Sequence, residues 1–209
     1  MIKESNIIAD ALRSDIASGE LEPGAPIRQD TVAERFQVSR TPVRQVLHQL
    51  AGEGFVTYDP NKGARVATIS RAAVRDLFDM RLALEPLALE SALPHHDKVV
   101  WALAEIALDR ADASGSDAVA LGRENSHFHM ALYAPSGRSL LLETIARLAD
   151  RGIRGEIVAL SIKNRISQSA AEHRELLRAC STREHKTALY LLAGHLESAR
   201  DDALVAIND

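Results

Sequence analysis

From residue 71 almost to the C-terminus, apolar residues recur every three or four positions, interrupted around ALPHHD, DASGSD, APSGRS and CSTREH. A 3.6-residue period sustained over such a length constrains the fold more than any other feature. Each segment is an amphipathic helix with one apolar stripe, and stripes of that kind are buried mainly against one another. The spacing predicts six helices, over 71–92, 97–113, 117–133, 138–160, 166–180 and 183–205. Aromatic residues make up only 4% of the chain while Leu, Ala and Arg are plentiful, which favours helical packing over sheet. With 209 residues, 46% of them hydrophobic, the chain can build two modest cores.

The first third has a different order. Ile7, Ile8, Ala11, Leu12 and Ile16 keep helical spacing over 5–18, and GELEPGAPIR then stops the pattern with Gly19, Pro23, Gly24 and Pro26. A short helix follows from Gln29 to Phe36 with Val32, Ala33 and Phe36 inward, and QVS makes a tight turn into a helix from Arg40 to Ala51. Val43, Val46, Leu47 and Leu50 form the buried face of that last helix, leaving Arg40, Thr41 and Arg44 on or near the opposite side. FVTY and ARVAT alternate as strands do around the turn DPNKG, giving a small hairpin. Helix, short helix, turn, helix and hairpin make a winged helix-turn-helix. The expected fold is therefore mainly α: a winged helix-turn-helix with a small β-hairpin over 1–68, then an all-α bundle of six or seven helices over 69–209.

A formal net charge of -4 gives no global basic signature, so contact with nucleic acid has to come from a local cluster. Arg35, Arg40 and Arg44 supply one, since no acidic residue stands between Arg35 and Gln49. Ser39 and Thr41 can cap the helix or donate to phosphate, and Arg40 and Arg44, one turn apart, can reach guanine edges or phosphates. Taken alone, SRTPVR reads equally well as a capped helix start with solvated arginines. Cys180 is the only cysteine, which excludes an intrachain disulfide and a Cys-only metal site and is expected to be a small buried hydrophobe. The charged N-terminal segment lacks a signal-peptide core, and no stretch reaches the roughly 20 apolar residues of a membrane span. A cytoplasmic protein without membrane association is the expectation.

Eight histidines stand at 48, 95, 96, 127, 129, 173, 185 and 195. Solvated or partly packed roles suffice for His48, His95, His96 and His185. His173 shares an apolar stripe with Ala170, Leu176, Leu177 and Cys180, and His195 with Leu191, Leu192 and Ala199. Leu121, Asn125, Phe128, His129 and Leu132 form one helical face, from which His127 points away. One buried histidine is more often a hydrogen-bonded core residue than a ligand. Three uncompensated imidazoles in one helical core would be costly, whereas a divalent ion uses their lone pairs. His129, His173 and His195 with the Asn125 amide oxygen make a site for zinc first, or nickel or manganese, with positions open to water or an anion. Such a site could also activate water in a metal-dependent enzyme. Against this, no general base is evident: Glu172 directly precedes His173 and is expected on another face, and HExxH spacing is absent. Arg81 lies with Leu77, Phe78, Leu84 and Glu85; an ion pair with Glu85 at i, i+4 is worth only tenths of a kcal/mol if exposed.

The segment LEPGAPIRQDTVAERFQVSRTPVRQVLHQLAGEGFVTYDPNKGARV, residues 21–66, resembles the start of GntR-family transcription regulators. The resemblance implies DNA contact from Ser39, Arg40, Thr41 and Arg44, a phosphate contact from Arg35, and a wing tip at Asn61, Lys62 and Gly63 in the minor groove. Gln29 stands where the family often has Glu, and Asp30 where some members carry a DNA-contacting Arg. Residues 71–205 resemble the FCD domain of the FadR-like branch, on RDLFDMRLALEPLALESAL, NSHFH at 125–129, EHRELL at 172–177 and HLESAR at 195–200. This second resemblance implies Asn125, His129, His173 and His195 as metal ligands, Asn125 replacing the commoner Asp. It also implies that Arg81 faces the cavity of a small carboxylate effector. Together they imply a homodimeric, effector-responsive regulator of a double-stranded operator, a repressor rather than an enzyme. In a variant of that scheme the effector is the ion itself.

Overall fold

The structure, a computed structural model, describes residues 2–59, 63–68, 70–115, 118–153 and 156–206, with side chains in these ranges except at 2–4, 17, 118–119, 150–153, 156–167 and 206. The N-terminal unit contains α1 (Ile2–Ser18), β1 (Pro26–Ile27), α2 (Gln29–Phe36), α3 (Arg40–Gly52), β2 (Val56–Asp59) and β3 (Gly63–Val66). The inward faces anticipated from the spacing meet in one core, where Ile8, Leu12 and Ile16 of α1 pack with Val43, Val46, Leu47 and Leu50 of α3 and with Val32, Phe55 and Val66. Gln37 takes up a left-handed conformation at φ 54° after α2 and returns its N–H to that helix, turning the chain into α3 within three residues. Arg13 joins α1 to the end of α3 through both Glu53 carboxylate oxygens, at 2.7 to 3.0 Å.

The hairpin is antiparallel, with Val56 opposite Val66 and Tyr58 opposite Ala64. β1 adds a third strand outside β3, Ile27 opposite Ala64, where the sequence reads only as a break. Two residues between prolines and glycines offer no alternation to detect. Gly63 opens β3 at φ +77°, a conformation that side-chain-bearing residues rarely adopt.

The C-terminal unit contains α4 (Arg71–Ala92), α5 (Lys98–Ala113), α6 (Ala118–Tyr133), α7 (Ser139–Ile153), α8 (Glu156–Ser181) and α9 (His185–Ala206), with single 3₁₀ turns at Leu93–His95 and Ala134–Ser136. Ser70 caps α4 by accepting from the Ala73 N–H, and Asp97 caps α5 by accepting from Val99 and Val100. The expected break between 160 and 166 is absent: α7 ends at Ile153 and α8 runs unbroken across SIKNR. That run is polar but holds neither Gly nor Pro, whereas Gly152 and Gly155 bracket the observed junction. Ala88, Leu89, Phe128, Leu132, Leu176, Ala179, Leu192 and Leu196 form the centre of the bundle, so α4, α6, α8 and α9 all face it. α1 of the N-terminal unit lies against α6 and α8. No helix among the described residues is long and apolar enough to cross a membrane.

Candidate metal centre and nucleic-acid interface

Three helices of the bundle each contribute one imidazole to the same buried point. His129 of α6, His173 of α8 and His195 of α9 are all buried, and one ligand nitrogen from each falls within 4.8 Å of the others. The Nε2 atoms of His173 and His195 are 3.2 Å apart, and the His129 ring centroid is 5.0 Å from that of His173 and 5.2 Å from that of His195. Phe128 packs its ring 4.6 Å from His173 and so backs the cluster on its apolar side. Tetrahedral zinc with nitrogens at about 2.0–2.1 Å sets those nitrogens roughly 3.3 Å apart, which is the spacing of the His173–His195 pair. The Nε2 atom of His129 is buried without a hydrogen-bond partner. An unpaired buried nitrogen is costly unless something accepts its lone pair, and a divalent ion does so. These residues therefore fit a metal. Asn125 is half-buried one turn before His129 on α6.

The second ring nitrogens of His195 and His129 are occupied. His195 Nδ1 meets Glu172 Oε2 at 2.7 Å, and His129 Nδ1 meets the Tyr133 hydroxyl at 3.1 Å. Tyr133 in turn donates to Glu85 Oε2 at 2.8 Å, and Arg81 donates through Nε to Glu85 Oε1 at 2.5 Å. A chain of side chains thus runs from Arg81 and Glu85 on α4 to His129 on α6. Burial, then the nearby His173, His195 and Arg81, hold His129 well below the usual histidine range, so its ring is neutral and able to ligate. Burial and the Glu85 charge push the Tyr133 phenol well above its usual range, which keeps its proton available to Glu85. Burial opposes the charge on Arg81, but Glu85 outweighs it and the guanidinium is raised further from neutrality. It lies over the Phe78 ring, 5.2 Å from its centroid.

Tyr133 escaped the sequence reading, while Glu85 was anticipated as the ion-pair partner of Arg81 but not as a partner of Tyr133. Glu172, expected on another face from His173, reaches His195 on the neighbouring helix. Tyr133 stands four residues after His129, a spacing that could have signalled the contact. His96 also departs from expectation. It is buried, its Nε2 paired at 2.8 Å with the Leu132 carbonyl, and burial lowers its pKa. His127 points outward and meets Glu124 at 3.1 Å. Cys180 is buried in the core, where desolvation pushes its thiol up to about 12 and makes it inert.

In the N-terminal unit, Ser39, Thr41 and Arg44 are exposed along the first turns of α3. Ser39 occupies the N-cap position without a side-chain capping bond. Arg40 is exposed and paired with Asp30 of α2. Arg35 is engaged by the buried Asp15 of α1 while its guanidinium lies over Phe36, so a phosphate would have to share it. The His48 ring lies 4.6 Å from that of Tyr58, joining α3 to the wing. Gly63 closes the wing turn; Asn61 and Lys62 lie outside the described residues.

A winged helix with a basic, exposed recognition helix, joined to a helical unit built around three imidazoles, defines a DNA-binding transcription regulator of two parts. The family model of bacterial regulatory proteins of the gntR family matches residues 4–66, and that of the FCD domain matches 76–198. The chain belongs to the GntR family, in its FCD-containing group. It is 28% identical over 196 residues to the HTH-type transcriptional repressor GlaR of Escherichia coli K12, covering 88% of this chain and 89% of GlaR. An HTH-type transcriptional regulator of Streptomyces ambofaciens is 30% identical over 193 residues, covering 91% of this chain and 81% of the relative. Among solved structures, a GntR transcriptional regulator from Rhodococcus sp. RHA1 superposes with a TM-score of 0.73 at 21% identity, over 99% of this chain and 100% of that one. McbR/YncC of E. coli gives 0.65 at 21%, over 94% and 95%. The family and these relatives are transcription regulators, not enzymes, which sets aside the hydrolytic alternative for the histidine cluster.

Proposed function

We propose that the protein is a repressor whose operator affinity is set by a small carboxylate bound at or beside a divalent ion in its C-terminal unit. The observation that carries this reading is the convergence of His129, His173 and His195, with one Nε2 unpaired, a few side chains away from a buried arginine. In this reading residues 1–68 read DNA and residues 69–209 hold the effector and the dimer contact. Arg40 and Arg44 address base edges and phosphates, Ser39 and Thr41 address phosphates, and Arg35 a further phosphate. Asn61, Lys62 and Gly63 form the wing tip at the minor groove. His129, His173, His195 and Asn125 hold the ion, which when bound supplies a Lewis-acid centre with open positions for carboxylate oxygens. Arg81 contributes a cation for the same carboxylate.

A homodimer would place two recognition helices about 34–36 Å apart on a pseudo-palindromic operator. The effector works by shifting a population of domain arrangements, and α1 offers the route because it rests on the helices that carry His129 and His173. The decisive experiment combines metal analysis of the purified protein with operator titrations, with and without zinc and a panel of small carboxylates. A carboxylate that weakens operator binding only in the zinc-loaded protein is the expected result. If chelation alone changes affinity and no carboxylate adds to it, the ion itself is the effector. Operator affinity indifferent to both overturns the sensing role.

A further inference from the structure

We infer that Tyr133 and Glu172 are positioning residues that fix His129 and His195 in the tautomer with Nδ1 protonated, so that each presents its Nε2 lone pair to the metal point. The inference rests on the reading of the three histidines as a metal centre.

The argument is one of donors and acceptors. A phenol has one hydrogen, and the Tyr133 hydroxyl spends it on Glu85 Oε2 at 2.8 Å. Glu85 accepts on both oxygens, from Tyr133 on Oε2 and from Arg81 on Oε1 at 2.5 Å. At the 3.1 Å contact with His129 the phenol oxygen can therefore only accept, which places the ring hydrogen on Nδ1 and the lone pair on Nε2. The same logic applies to His195, whose Nδ1 meets an acceptor-only carboxylate of Glu172 at 2.7 Å. Both outward nitrogens are thus committed before any ion arrives, and the 3.2 Å contact between His173 and His195 is donated by His173. Without the hydroxyl or the carboxylate, either ring could place its hydrogen on Nε2, and a fraction of molecules would then present an N–H where a ligand is needed. Outer partners of this kind are worth about 10- to 100-fold in metal affinity. On the Tyr133 side the chain continues to Arg81, so a carboxylate that engages the guanidinium bears on Glu85, Tyr133 and His129 in turn.

The test uses the full-length protein and its Tyr133→Phe, Glu172→Ala and Glu172→Gln variants. Zinc affinity is measured by competition with a chromophoric chelator, and the ligand field by the visible spectrum of the cobalt-substituted protein. Melting of the chelator-treated proteins by circular dichroism separates loss of fold from loss of metal. Tyr133→Phe and Glu172→Ala should bind zinc about 10- to 100-fold more weakly, with the cobalt bands shifted or broadened by mixed tautomers. Glu172→Gln should keep most of the affinity, because the amide oxygen still accepts from Nδ1–H. Glu172 is partly exposed, so its variants fold even if the fully buried Tyr133→Phe does not. Zinc affinity in Glu172→Ala within about threefold of the parent, or an equal fall in Glu172→Gln and Glu172→Ala, overturns the inference while leaving the metal centre standing. A parent protein that binds neither zinc, cobalt, nickel nor manganese overturns both.

Discussion

Replacing Arg81 by Met tests whether the Arg81–Glu85 pair behaves as a surface helix pair or as part of the core. On an exposed helix such a pair contributes about 0.3–0.5 kcal/mol. Here the side chains are only 12% and 2% exposed, and Glu85 sits beneath the bundle against Tyr133. Removing one member of a buried pair leaves the other charge unpaired, at roughly 3–5 kcal/mol. Tyr133 still donates to Glu85 in the variant, which puts the expected loss at the low end, about 3 kcal/mol. For a chain of this size that lowers the melting temperature by about 6–12 °C. Urea unfolding followed by far-ultraviolet circular dichroism, with chelator present throughout, measures it without any contribution from metal. In the double variant Arg81→Met/Glu85→Met the stranded carboxylate is gone, and most of the loss should be recovered. A single-variant loss below about 1 kcal/mol, or a double variant less stable than the single, refutes the argument that this pair is a buried one.

Arg44→Ala should weaken operator binding at least about 30-fold, from about 1–3 kcal/mol for the recognition contact on each of two half-sites, with metal content unchanged; fluorescence anisotropy and metal analysis read the two together. Metal lost from that variant would contradict the separation of the two units. Asn125→Asp should tighten zinc binding by adding a negative charge to the set and weaken carboxylate binding to the loaded protein, both readable by calorimetry. His96 has a lowered pKa, so between the usual histidine value of 6.5 and its folded value the unfolded chain binds the extra proton. Stability is therefore lost as pH falls through that window, and His96→Gln should flatten the decline in urea midpoint between pH 7 and pH 5. An unchanged slope would mean that His96 is not penalised by burial.

The helices that carry function were legible because their stripes were long and their ends marked. α2 and α3 were bounded by a Pro/Gly-rich entry and a three-residue turn, and α4 by Ser70 at one end and a Pro-containing turn at the other. His129, His173 and His195 were visible as polar residues on apolar stripes. The partner of His195 was not, because periodicity reports which face a residue occupies and is silent about the helix packed opposite. The Glu85–Tyr133 and Glu172–His195 contacts become legible only when a second helix is placed beside the first. Charge counting misled in a related way. Arg35 and Arg40 read as free cations in a basic strip, yet Asp15 and Asp30, outside that strip in sequence, face them in space.

In the proposed site, the distribution of charge around the histidines would favour an anionic effector. Three neutral imidazoles and the Asn125 amide would leave a divalent ion with its full charge, where an aspartate would have removed half of it. Nor do the two nearby carboxylates neutralise it directly: Glu85 is committed to Arg81 and Tyr133, and Glu172 to His195 Nδ1. An ion in that setting is surrounded by oriented dipoles but lacks a negative ligand, inside a bundle where burial makes uncompensated charge costly. A carboxylate entering the open positions would complete the charge balance. In the proposed site, Asn125 in place of Asp would trade strength of ion binding for pull on the anion, as a sensor of a small carboxylate requires.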